Sequence, residues 1–210
     1  TLGALLLICG PAWAGEKTTE TARPNADRQD PLRMPFYTGN ILPTPQKATY
    51  RDAFFPLENA GILLGDGLTA DGAWVRELRE RIERYGGKVQ VVASQDAPCD
   101  TLILLGKSEA AEPFLKDHPV PEREQGYVMV SAEAANKRTI VLVGHDRLGL
   151  LWAITSFNQL VHEKDGICRV RAADVEDYPY AVNRGFIDSY WPEGVPYVIA
   201  FKINKPVFQT

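Results

Sequence analysis

From Asn40 onward the chain alternates short apolar runs with polar breaks. ILPTPQKATYRDAFFPL (41–57) opens with two prolines and then alternates. Lys47, Thr49 and Arg51 face one way and Ala48 and Tyr50 the other, which predicts an edge-like strand entered through a proline-stiffened turn. AGILLG (60–65) is a short apolar run suited to a buried strand, and KVQVVA (88–93) and TLILLGK (101–107) read as further strands. YVMVSA and RTIVLVG, joined by a polar turn around Asn136, predict a hairpin, and CRVRAADVED (168–177) predicts a strand running into a polar hinge.

Two segments carry helical spacing. In TADGAWVRELRERIERYGG, Trp74, Leu78, Ile82 and Tyr85 recur on one face beside Val75. Thr69 or Asp71 is positioned to cap its start and Gly86-Gly87 to end it. In HDRLGLLWAITSFNQLVHE, Leu150, Leu151, Ile154, Phe157, Leu160 and Val161 form the buried stripe, with Asp146 as N-cap. SEAAEPFLKDH is a short helix or turn.

The order is therefore strands, helix, strands, hairpin, helix, strand. So short a hairpin connection requires antiparallel strands. The economical arrangement is α+β: a two-layer sandwich of a mixed sheet with two helices on one face.

The first residues add a different signal. TLGALLLICG is too short to cross a bilayer as a helix. With Ala12 and Ala14 in small-residue positions it reads as a secretory signal peptide, residues 1–14, cleaved after Ala14. Lipidation at Cys9 is a rival, opposed by Ile8 where a small residue is expected. Residues 15–39 read as a flexible linker. The protein is expected to be secreted or periplasmic, with no membrane association after cleavage. Cleavage leaves Cys99 and Cys168, which an oxidising compartment could join or leave as two thiols.

Apolar residues make up 45% of the 210 positions, enough for a sizeable core. A net charge of −4 without a Lys/Arg block argues against nucleic acid as a partner. No His/Cys cluster offers a metal site, and no glycine-rich loop offers a cofactor site, so no cofactor is expected. His118, His145 and His162 are scattered and read as surface or capping residues. Asp174, Glu176 and Asp177, with Glu122 and Glu124, read as solvated hinge and loop charges rather than a catalytic pair. Arg184, Asp188, Tyr190 and Trp191 are distinct: by residue type they read first as a core aromatic pair with a structural ion pair, and alternatively as a sugar contact, since aromatics beside an Arg/Asp pair suit a sugar.

Three segments together resemble family 20 β-N-acetylhexosaminidases. LPTPQKATYRDAFFPL (42–57) resembles the opening of the small α+β domain that precedes their catalytic barrel. QGYVMVSAEAANKRTIVLVGHDRLGLLWAITSFNQL (125–160) resembles that domain's hairpin and long helix, including the Gly-Tyr start and the Asp-x-x-Gly entry at Asp146 and Gly149. VEDYPYAVNRGFID (175–188) resembles the junction where the first barrel strand begins. Asp188 is followed by SYWPEG where that family has a Ser/Ala-Arg-His-Phe segment. Family 84 β-N-acetylglucosaminidases, whose first strand runs into an aromatic-rich loop, are similar there.

The resemblance implies an accessory domain at 40–176 and the truncated start of a (β/α)8 barrel at 177–210. It implies an exported glycoside hydrolase that removes N-acetylhexosamine from glycans by substrate-assisted hydrolysis. The domain packs on the barrel, and glycan is the partner. Arg184 matches the first-strand arginine that holds sugar hydroxyls in the family 20 enzymes, and Asp188 and Trp191, singled out by residue type, join it as the expected substrate contacts. The catalytic Asp-Glu pair lies on a later strand of such barrels, so these residues alone are expected to be inactive. The alternative is a free-standing, non-catalytic carbohydrate-binding or structural domain.

Overall fold

The computed structural model describes residues 39–134, 137–185, 187–189, 202–204 and 207–209. The expected signal peptide, nearly all of the expected linker and Trp191 lie outside them. The elements run β1 (Lys47–Pro56), β2 (Ala60–Leu64), α1 (Ala73–Arg84), β3 (Val89–Val92), β4 (Thr101–Leu105), α2 (Glu112–Leu115), β5 (Tyr127–Ala134), β6 (Lys137–Gly144), α3 (Arg147–Leu160), β7 (Val161–Lys164) and β8 (Ile167–Asp177). β9 (Ile187–Ser189) and β10 (Val207–Gln209) form a separate parallel pair.

The main sheet has the order β1-β8-β5-β6-β4-β2-β3, with β7 paired to β8 off that path. β3, β2, β4 and β6 are mutually parallel, whereas β5, β8 and β1 add antiparallel strands. The expected mixed sheet, with β1 on its edge, is thus observed. α1 and α3 share one face, packing Val75, Leu78, Ile82, Ile154 and Phe157 against Ile62, Ile103, Ile140 and Leu142. Leu102, Leu104, Val128, Val130, Val141 and Val143 point to the other face, where Ala111, Phe114 and Leu115 of the α2 region cover them. Burial on both faces explains why these strands read as unbroken apolar runs rather than alternating ones.

Helix ends follow local chemistry. Asp146 caps α3 as expected, its Oδ1 accepting the Gly149 N–H at 2.8 Å. α1 departs from expectation: its N-cap is Gly72, with no side-chain cap, and neither Thr69 nor Asp71 fills that role. At its far end Gly86 takes φ +82°, and Gly86 and Gly87 donate back to Glu83 and Ile82. The largest correction is at residues 161–164. α3 stops at Leu160, and Val161 begins β7, which turns back through Asp165 and Gly166, both with positive φ, into β8. An Asp-Gly pair flanked by β-branched and extended residues is a strong hairpin signal, and here it overrides the helical period.

The sheet forks beside that hairpin. β5 pairs with β8 only from Met129↔Val175 to Tyr127↔Asp177 and then diverges, while β7 takes the vacated edge from Lys164↔Ile167 to Val161↔Val170. Polar side chains seal the fork. Ser131 Oγ donates to the Ala173 carbonyl and accepts the Ala173 N–H, both at 2.9 Å. Asp174 accepts the Ser131 N–H at 3.1 Å and pairs with Arg51, which donates to the Ser131 carbonyl at 2.6 Å. Asp174 is therefore a structural anion rather than a solvated hinge charge. A lost β-ladder rung is replaced by side chains, as buried backbone groups require.

Cys99 and Cys168 are both free thiols, and they belong to the cores on opposite faces of the sheet. Burial pushes the Cys168 thiol up to about 11. A thiol reagent at pH 8 should accordingly label Cys99 well before Cys168, and Cys168 only when urea unfolds the chain. Equal labelling rates in the native state would contradict this packing. At the fork, Asp174→Ala should lower stability by about 1–3 kcal/mol, because the buried Ser131 N–H loses its charged acceptor. A urea midpoint unchanged from the parent would show the fork to be sealed otherwise.

Candidate functional site

A polar cluster forms where the chain leaves the sheet after β8. Its foundation is the loop before β5. Gln125 is only 1% exposed and has φ +62°, an uncommon conformation for a residue with a side chain. Asp146 stabilises it: while Oδ1 caps α3, Oδ2 accepts the Gln125 N–H at 2.7 Å. The Gly126 carbonyl accepts from His145 N at 2.8 Å, and a Cβ at Gly149 would lie 2.2 Å from that carbonyl. The Asp-x-x-Gly spacing thus serves two ends at once, capping the helix and letting this loop lie against its first turn.

The Gln125 side chain then gathers three segments. Its Nε2 donates to the Val182 carbonyl at 2.9 Å. Its Oε1 accepts from Trp152 Nε1 at 3.0 Å, an Arg184 terminal nitrogen at 3.0 Å and Asn204 Nδ2 at 3.3 Å. Arg184 also donates from Nε to the Lys202 carbonyl at 2.8 Å and from its other terminal nitrogen to the Ala181 carbonyl at 3.1 Å. Its guanidinium carbon sits 5.7 Å from the Trp152 ring centre. Burial lowers the Arg184 pKa, opposed by the charge of Asp177. A guanidinium starts so high that it stays charged.

Beside it lies a buried cation. Lys202 is 4% exposed, and its Nζ donates to Asp177 Oδ2 at 3.0 Å and to the Tyr127 hydroxyl at 2.7 Å. The Tyr127 hydroxyl, accepting from Lys202, also lies within hydrogen-bond distance of Ser156 Oγ at 2.6 Å. Burial pulls the Lys202 pKa down, and Asp177 works against that. Burial pushes the Tyr127 hydroxyl well above its ordinary range, and the Asp177 charge adds to it. Asp177 Oδ1 also accepts the Gln46 N–H at 3.2 Å, tying in the segment before β1. Asp177 is thus a partnered, mostly buried carboxylate, which corrects the expectation of a solvated hinge charge.

A cleft of about 310 Å³ opens over this cluster, lined by Pro43, Trp152, Tyr178, Tyr180 and Arg184 among others. Tyr180 is 90% exposed, and the Arg123 guanidinium lies 4.3 Å from the Tyr178 ring centre. The cleft offers aromatic faces and a guanidinium, the combination that packs against C–H surfaces and donates to hydroxyls.

Of the sequence-predicted contacts, Arg184 lines this cleft. Asp188 lies in β9 opposite Phe208, and Trp191 lies outside the described residues. Gln125, Trp152 and Lys202 were not singled out by sequence reasoning. Gln125 hides in a charged loop, Trp152 within a helix but off its apolar stripe, and Lys202 in a tail without pattern. The Gly126-Tyr127 start of the hairpin was the nearest available signal. Among the described residues, no group of three or more His, Cys, Asp and Glu comes together to hold a metal.

Removing one member of the Lys202–Asp177 pair should be costly and removing both mild. Lys202→Met leaves a buried carboxylate without its cation and should lose about 3–5 kcal/mol, most of it recovered in the Lys202→Met/Asp177→Asn double variant. Urea unfolding of the four members of this cycle checks it. Strictly additive losses would show that the pair is not coupled.

Known structures share this architecture. The protein named CpGH84D matches over 81% of this chain and 30% of its own, with a TM-score of 0.62 and 21% identity. CpGH84B matches over 81% and 29%, with a TM-score of 0.60 and 17% identity. A GH20 exo β-N-acetylglucosaminidase from Vibrio harveyi, an inactive mutant, matches over 81% and 25%, with a TM-score of 0.58 and 14% identity. At such identities the likeness is one of fold, and this chain spans less than a third of each of those chains. The family "Glycosyl hydrolase family 20, domain 2" matches residues 38–178, well over half of the sequence, and the chain belongs to that family.

Proposed function

We propose that this chain is the amino-terminal part of an exported glycoside hydrolase that removes N-acetylhexosamine from glycans, and that its domain buttresses a catalytic barrel. The observation that carries the reading is an order: a family 20 domain 2 at residues 38–178, followed by the parallel pair β9 and β10. Parallel neighbours need a crossover between them, and residues 190–206 supply that length. A first strand, a crossover and a second parallel strand are how a (β/α)8 barrel begins. The leader at residues 1–14 supports export to a secreted or periplasmic location.

In this reading the substrate's own acetamido oxygen attacks its anomeric carbon, and a later strand supplies an Asp-Glu pair. Residues of this chain contribute binding. Arg184 keeps a second N–H on each terminal nitrogen for a sugar hydroxyl, and Asp188 and Trp191 would complete the contact from the first strand and its loop.

A second reading is favoured by the cleft itself. Trp152, Tyr178 and Tyr180 beside Arg184 would let the domain hold a sugar as a non-catalytic binding module.

The two readings separate in one pair of assays. The full-length protein should release 4-nitrophenol from 4-nitrophenyl N-acetyl-β-D-glucosaminide, and residues 15–210 should not. Turnover by residues 15–210 would refute the division of labour. Failure of the full-length protein on both gluco and galacto substrates, with saturable quenching of tryptophan fluorescence by N-acetylglucosamine, would favour the binding module.

A further inference from the structure

We infer that Gln125 is a positioning residue, by which the accessory domain holds the Arg184 guanidinium in the orientation that meets a sugar hydroxyl. The inference rests on the reading of Arg184 as a substrate contact, and it assigns a task to the domain beyond buttressing.

Gln125 is itself fixed at both ends. Its backbone is held in the left-handed region by Asp146, and its side chain leaves the loop fully buried. A glutamine oxygen has two lone pairs, yet donors from Trp152, Arg184 and Asn204 converge on this one at 3.0, 3.0 and 3.3 Å. Its amide nitrogen is spent on Val182. The amide therefore cannot turn without releasing partners on α3 and on both stretches that flank β9.

Arg184 is fixed correspondingly. Its Nε and both terminal nitrogens each donate to a different acceptor: the Lys202 carbonyl, the Ala181 carbonyl and Gln125 Oε1. Its backbone N–H donates to Asn204 Oδ1 at 2.8 Å. Of the three side-chain acceptors, two are carbonyls of the 181–202 segment itself. Gln125 is the one of these three acceptors that belongs to the sheet-and-helix body, so its bond refers the guanidinium to the rigid frame. A long, flexible side chain is thereby held in one orientation before substrate arrives, which lowers the ordering cost of binding. Trp152 serves the same end twice, donating to Gln125 and lying beneath the guanidinium.

A clamp that merely stabilises would look different in kinetics from one that aims. In the full-length protein, Gln125→Met keeps the length and removes the amide, while Gln125→Glu keeps an acceptor for Arg184. Gln125→Met should raise KM for 4-nitrophenyl N-acetyl-β-D-glucosaminide about tenfold and leave kcat within about twofold. Gln125→Glu should return KM to within about threefold of the wild type. Arg184→Lys should raise KM at least as much as Gln125→Met, because it also removes the guanidinium that meets the sugar, and the double variant should be no worse than Arg184→Lys alone, because Gln125 acts through Arg184. A Gln125→Met enzyme with lowered Tm and unchanged KM would overturn the inference, as would independent, multiplying effects.

The aim can also be read without turnover. In residues 15–210, the terminal Arg184 N–H that donates to Gln125 should give a slowly exchanging NMR resonance that Gln125→Met abolishes. Equal exchange in both would overturn the clamp whatever the substrate. A wild-type enzyme inactive on N-acetylhexosaminides, with that resonance slow and Gln125-dependent, would refute the glycosidase reading and the sugar-directed part of the inference.

Discussion

One carboxylate holds the functional end of this molecule in place. Asp146 uses one oxygen to begin α3 and the other to hold Gln125 in a conformation that side chains seldom adopt. Without that second bond the loop before β5 is held to the helix only by the His145–Gly126 backbone bond and the Trp152 indole among the contacts described above. Without Gly149 it has no room, since the Gly126 carbonyl occupies the space of a side chain. The Gln125 amide, the Trp152 indole and the Arg184 guanidinium then follow in sequence, each oriented by the one before. A helix cap, worth on the order of 1 kcal/mol by itself, becomes the base of a four-residue relay.

The sheet contributes the rigid frame behind this relay. Its parallel half, β3-β2-β4-β6, is covered on both faces at β4 and β6, which read as apolar runs. Its antiparallel half carries the polar exceptions, at the fork between β5 and β8. The two halves do different work. The first supplies burial, and the second lets β8 deliver Asp177 and the chain after it to the mouth of the cleft. A fork placed elsewhere would aim that exit differently.

Most of the fold was legible because periodicity and burial agree. The edge strand with its prolines, the hairpin around Asn136, the amphipathic α1 and the Asp146 cap follow from local patterns that tertiary packing left intact. Where local and distant forces compete, the sequence reads wrongly. Val161 continues the apolar stripe of α3, yet Asp165-Gly166 turns the chain into a hairpin and makes it a strand. α1 begins without the cap that Thr69 or Asp71 was placed to offer. The site was less legible still. Asp174 and Asp177 look like hinge charges because their partners, Arg51 and Lys202, are distant in sequence. Gln125 matters for the groups its amide meets, and no local spacing encodes a meeting of residues 125, 152, 184 and 204.

The buried Lys202 bears on where this domain can be said to end. The family boundary falls at residue 178, just after β8. Physically the unit extends further, because Lys202 supplies the positive charge for Asp177 and the hydrogen-bond donor for Tyr127 inside it. A gene fusion or evolutionary recombination that joined the first 178 residues to a new partner would carry an internal anion with no counterion. The module moves between proteins only if it brings a stretch of its neighbour along, or if the new neighbour happens to present a cation at the same point. Boundaries drawn from sequence likeness and boundaries drawn from charge balance thus differ here by some two dozen residues, and the second kind decides what can be transplanted.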